Sequence, residues 1–192
     1  GNFNGNLFAD QALSLGCSFC VIDDKKYKKS EKHILVDDVL ICLQELASLH
    51  RTKLACSVIA ITGSNGKTTS KELISNVLSK KYNVLSTEGN LNNHIGVPLT
   101  LLKLNKNHQF AVIEMGANHL KEIELLCEIA KPNFGLITNI GKAHVEGFGS
   151  IDNILKGKTE LYRYLKKNNG TVFVNSDDKK LSKSAIGLNS IS

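Results

Sequence analysis

"IAITGSNGKTTSKE", residues 59–72, is an apolar run that stops at two glycines and then delivers a lysine and two threonines at the head of a helix. Gly63 and Gly66 let the backbone close around an anion, and the N–H groups of the first helical turn point at it. Lys67 adds a mobile positive charge, and Thr68 offers a hydroxyl to a magnesium ion. Residues Gly63, Ser64, Asn65, Gly66, Lys67, Thr68 and Thr69 are therefore the candidate ATP-binding turn. The match to G-x-x-x-x-G-K-[ST] is imperfect, because Ile61 stands where the first glycine belongs, but the shorter T-G-x-x-G-K-T is intact. An ordinary glycine-rich turn with an incidental lysine is the plain alternative.

Outward from this turn, strands and helices alternate. "SVIAIT" leads to a helix over 67–81, "NVLS" to a helix near 98–104, "FAVIEM" to a helix over 119–130, and "FGLITN" to a helix over 150–167 before "TVFVN". Near-continuous apolar strands between amphipathic helices predict an α/β fold: a mostly parallel sheet with a phosphate loop, covered on both faces. Leu73, Ile74, Val77 and Leu78 are the expected buried stripe of the first helix. The C-terminal "LSKSAIGLNSIS" reads as ending without a closing helix or strand.

Before the sheet, a helix over about 7–15 and a strand over 18–22 read as the tail of a small α/β domain, residues 1–36. Asp37 or Asp38 can cap a linking helix within 37–56. Residues 57–192 are then a central ATP-binding domain, expected to be incomplete.

Ligands of such sheets gather beyond the carboxyl ends of the strands. Glu114 ends "FAVIE" and can hold Mg²⁺ or its water, although an acid at a strand end can equally be a cap or an ion-pair partner. Asn139 and His144 follow the next strand in "FGLITNIGKAHVEGFGS", where glycines 141, 147 and 149 keep the loop pliable. A lone loop histidine would ordinarily be idle; its place just past a strand end favours a ligand role.

The 192 residues carry 42% hydrophobic and 22% charged side chains and two prolines, the composition of a globular protein with a core. No run reaches a membrane span and no signal peptide opens the chain, so a cytoplasmic location is expected. The five cysteines, an odd number, are expected to be free thiols. The formal charge of +6 comes partly from Lys25, Lys26, Lys28 and Lys29, a stretch flanked by acids that reads as a solvated loop, so no nucleic-acid partner is expected.

"TGSNGKTT", "TEGNLNNHIGVPLTLL", "VIEMGANH", "LITNIGKAHVEGFGS" and "KGKTELY" together resemble the Mur ligases. "GNLNNHIGVPLTLL" with "EMGANH" is closest to the MurF branch, which joins D-Ala-D-Ala to UDP-N-acetylmuramoyl-tripeptide in peptidoglycan synthesis. The resemblance implies an ATP- and Mg²⁺-dependent amide ligase. The substrate carboxylate is phosphorylated, and the dipeptide amine displaces phosphate from the acyl phosphate. It implies that Lys67 contacts the β and γ phosphates, that Thr68 and Glu114 hold one Mg²⁺ and that His144 serves a second. It places Lys158 where the family carries a catalytic lysine carbamylated by CO₂, with Lys156 two residues away. Asn90, Asn92 and Asn93 would lie near the acyl-phosphate centre or the peptide end of the substrate. Asn2 to Gly5 resembles the end of the nucleotide-sugar domain, and the C-terminal domain is expected to be absent. On that reading the 192 residues, a monomer, bind nucleotide weakly and do not ligate alone. The rival readings are another Mur ligase, a folylpolyglutamate synthase or a P-loop NTPase switch. Neither the N-K-x-D string nor the transport-ATPase signature expected of a switch or transporter occurs.

Overall fold

The computed structural model describes residues 4–141 and 145–192. The chain forms two compact units, Gly1–Glu45 and Leu46–Ser192. In the first, α1 (Ala9–Ser14) precedes two parallel strands, β1 (Cys20–Ile22) and β2 (His33–Leu35), with Cys20 opposite His33. The second of these strands is additional to the sequence expectation. His33 is buried, its ring 3.2 Å from Asp10 Oδ1 and 3.1 Å from Ser30 Oγ. The four lysines of residues 25–29 lie exposed, with Lys26 3.0 Å from Asp24 and Lys29 paired with Asp10. Helix α2 (Val39–Thr52) begins where the Asp38 carboxylate accepts the N–H groups of Leu40 and Ile41 at 2.7 and 2.9 Å.

The second unit is built on six parallel strands in the order β4-β5-β3-β6-β7-β8: β3 (Ser57–Thr62), β4 (Val84–Ser86), β5 (Phe110–Glu114), β6 (Phe134–Ile137), β7 (Thr171–Phe173) and β8 (Asn189–Ile191). Crossovers between parallel strands are right-handed, so the direction of travel across the sheet decides which face each helix covers. Only the step from β3 to β4 runs backwards through this order. Its helix, α3 (Lys67–Leu78), packs Ile74 and Leu78 on the face carrying Ile59, Ile61 and Val112. The remaining helices follow forward steps: α4 (Gly96–Leu101), α5 (Glu122–Ala130), the one-turn α6 (Val145–Phe148), α7 (Ile151–Lys158), α8 (Glu160–Lys167) and α9 (Lys179–Ser184). They lie between forward-stepping strands with core side chains such as Val97, Leu126, Phe148, Ile154, Leu161 and Leu181 in one cluster with Val58, Ala60, Ile113 and Val172 on the other face.

Both faces therefore carry helices, but unequally, and this corrects the expected stripe of α3. Leu73 and Val77 are 63% and 72% exposed; only Ile74 and Leu78 turn towards the sheet. The side of α3 that is buried holds Lys71 and Ser75 instead. Two further expectations change. The helix expected over 150–167 is interrupted at Thr159, whose hydroxyl donates to the Leu155 carbonyl at 2.8 Å, a side-chain bond that competes with the helical ladder. The C-terminal stretch is not without closing elements: α9 ends within it, and β8 pairs with β7.

The break before Glu160 has a structural use. The Glu160 carboxylate, 5% exposed, accepts the N–H groups of Lys121 and Glu124 at 2.7 and 2.9 Å and so caps α5 from outside its own sequence. At the far end of α5, the buried Arg51 guanidinium donates to the carbonyls of Ala130 and Lys131 at 3.2 and 3.4 Å and to Asn133 Oδ1 at 3.1 Å. The cysteines are all free thiols, and among the described residues no helix is long and apolar enough to cross a membrane. Removing the Arg51 fork strands the buried Ala130 carbonyl and unties three part-buried acceptors, so Arg51→Met is expected to lower the free energy of unfolding by about 2–4 kcal/mol in urea titration. A loss below about 0.5 kcal/mol would show that water replaces the fork without cost.

Candidate active site

The ends of β3 and β5 lie side by side, with Ile61 opposite Glu114. The helices that follow them leave on opposite faces of the sheet, α3 on one and α5 on the other. A crevice opens where successive helices part in this way, and the candidate residues of the first two strand ends project into it.

The turn after β3 is shaped by its glycines. Gly63 has φ +143°, and a Cβ there would sit 1.9 Å from Thr138 Oγ1; Gly66, at φ +75°, starts α3. The loop after β6 grips this turn from outside. Asn139 accepts the Asn65 N–H and donates to the Asn65 carbonyl, both at 3.1 Å, while Thr138 Oγ1 donates to the same carbonyl at 2.6 Å. Ser64 donates its N–H to the Asn139 carbonyl at 3.0 Å, and its Oγ accepts the Gly141 N–H at 2.9 Å. The Lys67 ammonium is folded back over the turn, donating to the carbonyls of Gly63 and Ser64 at 3.0 and 3.3 Å. Thr69 lies exposed in the first turn of α3.

Beneath Lys67, Glu114 is 2% exposed. Its Oε2 accepts the Thr68 hydroxyl at 2.9 Å, and its Oε1 accepts the Asn92 amide at 2.8 Å. Among the described residues no lysine, arginine or histidine forms an ion pair with it. A buried carboxylate held by two neutral donors, one of them the Thr68 hydroxyl, is the donor set of a hard, oxygen-seeking dication. Mg²⁺ is commonly held by one or two carboxylates plus phosphate and water.

The asparagines of the "NLNN" loop divide. Asn92 holds Glu114. Asn93 accepts the N–H groups of Ile95 and Gly96 at 3.0 and 2.9 Å, fixing the entry to α4. Asn90 is exposed. Asn92 and Asn93, with Lys67, Ala117, Asn118 and Glu122, line a cavity of about 550 Å³ beside the turn.

Lys158 lies on the opposite wall from α3. It is 1% exposed, whereas Lys156 points to solvent, so of the two lysines only Lys158 is directed inward. Its ammonium donates to the Ala117 carbonyl at 3.2 Å and sits 5.5 Å from the centre of the Phe148 ring. Burial, reinforced by the positive charge of Lys67, brings its pKa down to about 8. His144 lies outside the described residues.

Residues 61–190 match the family described as the Mur ligase middle domain. The chain belongs to the Mur ligase family. It is 43% identical over 183 residues to the UDP-N-acetylmuramoyl-tripeptide--D-alanyl-D-alanine ligase of Haemophilus influenzae, covering 93% of this chain and 40% of that protein. The enzyme of the same name from Bacillus subtilis is 41% identical over 177 residues, 91% of this chain and 39% of its own length. Among solved structures, MurF ligase from Thermotoga maritima in complex with ADP superposes with a TM-score of 0.90 at 34% identity, over 100% of this chain and 45% of that one. The chain thus spans about two fifths of the curated relatives' length.

Within this Mur ligase chain, several contributors are silent in the sequence. Glu122 accepts the N–H groups of Asn118 and His119 at 2.6 and 3.1 Å; burial pushes its pKa up, but these bonds and the His119 ring outweigh it and hold the carboxyl below its usual range. Lys71, Thr87 and Glu160 lie within the quoted stretches but are given no role there. Lys71 and Ser75 share the helix face of Thr68, at i+3 and i+7, which is the one signal that could have marked them.

The low pKa of Lys158 has a thermodynamic signature. In the unfolded chain the amine keeps its proton to about pH 10.4, whereas the folded chain releases it near pH 8. Between these values the unfolded state binds more protons, so this group makes stability rise with pH, by up to about 1.4 kcal/mol per pH unit, and adds no slope below pH 8. Subtracting the pH–stability curve of Lys158→Met from that of the wild type is expected to reveal this rise between pH 8 and about 10.4; a flat difference would put the amine in a solvated setting.

Proposed function

We propose that the chain forms the nucleotide-handling part of a MurF-type ligase, which uses ATP and Mg²⁺ to join D-Ala-D-Ala to a UDP-N-acetylmuramoyl-tripeptide. The observation that carries the reading is the Thr68–Glu114–Asn92 cluster lying directly under the Lys67 turn. The likeness to the Haemophilus and Bacillus enzymes of that name supports the substrates. The ADP complex of the Thermotoga relative supports the nucleotide.

A carboxylate is a poor electrophile, so amide formation needs it converted to a species with a good leaving group. In the proposed sequence a carboxylate oxygen of the tripeptide attacks the γ-phosphorus of ATP, and ADP leaves with the electrons of the broken P–O bond. The dipeptide amine then attacks the acyl carbon, loses a proton, and expels inorganic phosphate. The turn's N–H groups and Lys67 hold the phosphate oxygens and take up charge that develops on them. Thr68 and Glu114 would hold the magnesium ion, which draws charge from the transferring phosphoryl group. Asn92 orients the Glu114 carboxylate, and the adjoining cavity of about 550 Å³ receives the peptide end of the substrate.

Lys158 fits a further step. A neutral amine can attack CO₂ and lose a proton to give a carbamate, and a pKa of about 8 leaves a useful neutral fraction at neutral pH. The product is an anion beside Ala117, where the ammonium now stands. ATP supply assigns the reaction to the cytoplasm.

The test is phosphate release by the full-length protein with D-Ala-D-Ala, D-Glu or a diamino acid as the amine. Release with D-Ala-D-Ala and the tripeptide nucleotide is expected. Release with a diamino acid alone would move the protein to another Mur branch, and release with no amine would remove the ligase reading. Lys67→Ala is expected to lower kcat/KM by at least about 10²-fold and to abolish the rise in Tm caused by MgADP.

A further inference from the structure

Lys71 is a buried cation that the ligase chemistry above leaves unused. Its side chain is 1% exposed, and a lysine in such a place is costly unless its charge is answered. Its Nζ donates to the Thr87 carbonyl at 2.6 Å and lies 2.8 Å from the Glu72 carboxylate at the surface. Thr87, just past the end of β4, is itself 1% exposed, and all three of its polar groups are engaged. Its carbonyl takes Lys71, its N–H donates to the Val112 carbonyl at 3.0 Å, and its Oγ1 accepts the N–H of Glu114 at 2.9 Å.

These bonds close a loop around one residue. From α3, Thr68 reaches the Glu114 carboxylate directly, while Lys71, one turn on along the same face, reaches the Glu114 backbone through Thr87. The carboxylate is thereby fixed at both ends of its residue by a single helix face, the face that starts at the phosphate-binding turn.

We propose that Lys71 is a positioning residue for the magnesium–nucleotide site. By clamping the Thr87 carbonyl it holds the end of β4 against the end of β5, and so sets where the Glu114 carboxylate meets a metal ion. It touches neither metal nor nucleotide. Its contribution is to the affinity for Mg²⁺ in the nucleotide complex, and the affinity for the bare nucleotide, set by the turn and Lys67, is left alone. The proposal rests on the reading that this site takes a magnesium nucleotide.

The experiment compares ADP binding in excess EDTA with ADP binding across a Mg²⁺ titration, by calorimetry, for the full-length protein and three variants. Lys71→Met removes the clamp and keeps the bulk. Thr87→Val leaves the carbonyl that Lys71 holds and removes the hydroxyl that receives the Glu114 N–H. Lys67→Ala is the contrast. For the first two, the Mg²⁺ concentration giving half-saturation is expected to rise about tenfold or more, with metal-free ADP affinity within about twofold of wild type. For Lys67→Ala both affinities are expected to fall. A role confined to gluing β4 in place predicts a lower Tm for Lys71→Met with an unshifted Mg²⁺ midpoint, and that result overturns the proposal. So does equal weakening with and without metal. Should Lys71→Met fail to fold, Thr87→Val alone decides, by the same two outcomes. A wild-type protein whose ADP binding ignores Mg²⁺ removes the magnesium-nucleotide reading and this inference together, whereas a responsive wild type whose variants keep its Mg²⁺ midpoint removes only the inference.

Discussion

The candidate site is organised by one buried negative charge. Glu114 comes at the end of an apolar strand whose residues from Ala111 onward are buried, and the protein gives its carboxylate two neutral donors. Hydrogen bonds of this kind fix orientation but leave most of the charge in place, and a charge in a low-dielectric setting attracts a counterion strongly. Everything around it serves that position. The phosphate turn opens directly above, Thr68 and Lys71 descend from one face of α3, and the Asn92 carbonyl receives the Gly116 N–H at 2.7 Å to steady the backbone just beyond.

The crevice exists because of the order of the strands. With β3 in the middle and β4 reached by the one backward step, α3 goes to one face and α5 to the other, and the strand ends between them are left open. The second of these helices is then fixed by residues remote in sequence: Glu160 and Arg51 hold the opposite ends of α5. Lys158 reaches the site from α7 immediately before the break at Thr159, and Glu160 turns back to α5 immediately after it. The interruption lets two adjacent stretches of chain serve different neighbours.

The strands were legible in the sequence because a parallel strand buried on both sides is written as an unbroken apolar run: "SVIAIT" matches β3 residue for residue, and "FAVIEM" overruns β5 by one residue, Met115. The phosphate turn was equally legible, since few backbones need Gly-x-x-Gly before a lysine. What stayed hidden was the direction of helix faces. Four apolar residues of α3 suggested a single buried stripe, but two of them face water, because among the described residues of this unit no second helix flanks α3 on that face of the sheet. Lys71 drew no reading from the sequence: its spacing from Thr68 is the one local mark, and its burial depends on Thr87, sixteen positions away. Asn139 stood out only as a residue past a strand end. Its actual work, gripping Asn65, is visible only once β6 lies beside β3.

The contact between Gly63 and Thr138 links the mutational histories of two positions 75 residues apart. Any side chain at 63 collides with the threonine hydroxyl, and the threonine cannot be trimmed without losing its own bond to the Asn65 carbonyl. A change at either place alone loosens the phosphate turn, and the positive φ penalises position 63 even after its neighbour has made room. Variation in this part of the molecule must therefore begin at 138, because a side chain at 63 collides while the threonine stands, whereas a shortened residue 138 still leaves Asn139 donating to the Asn65 carbonyl.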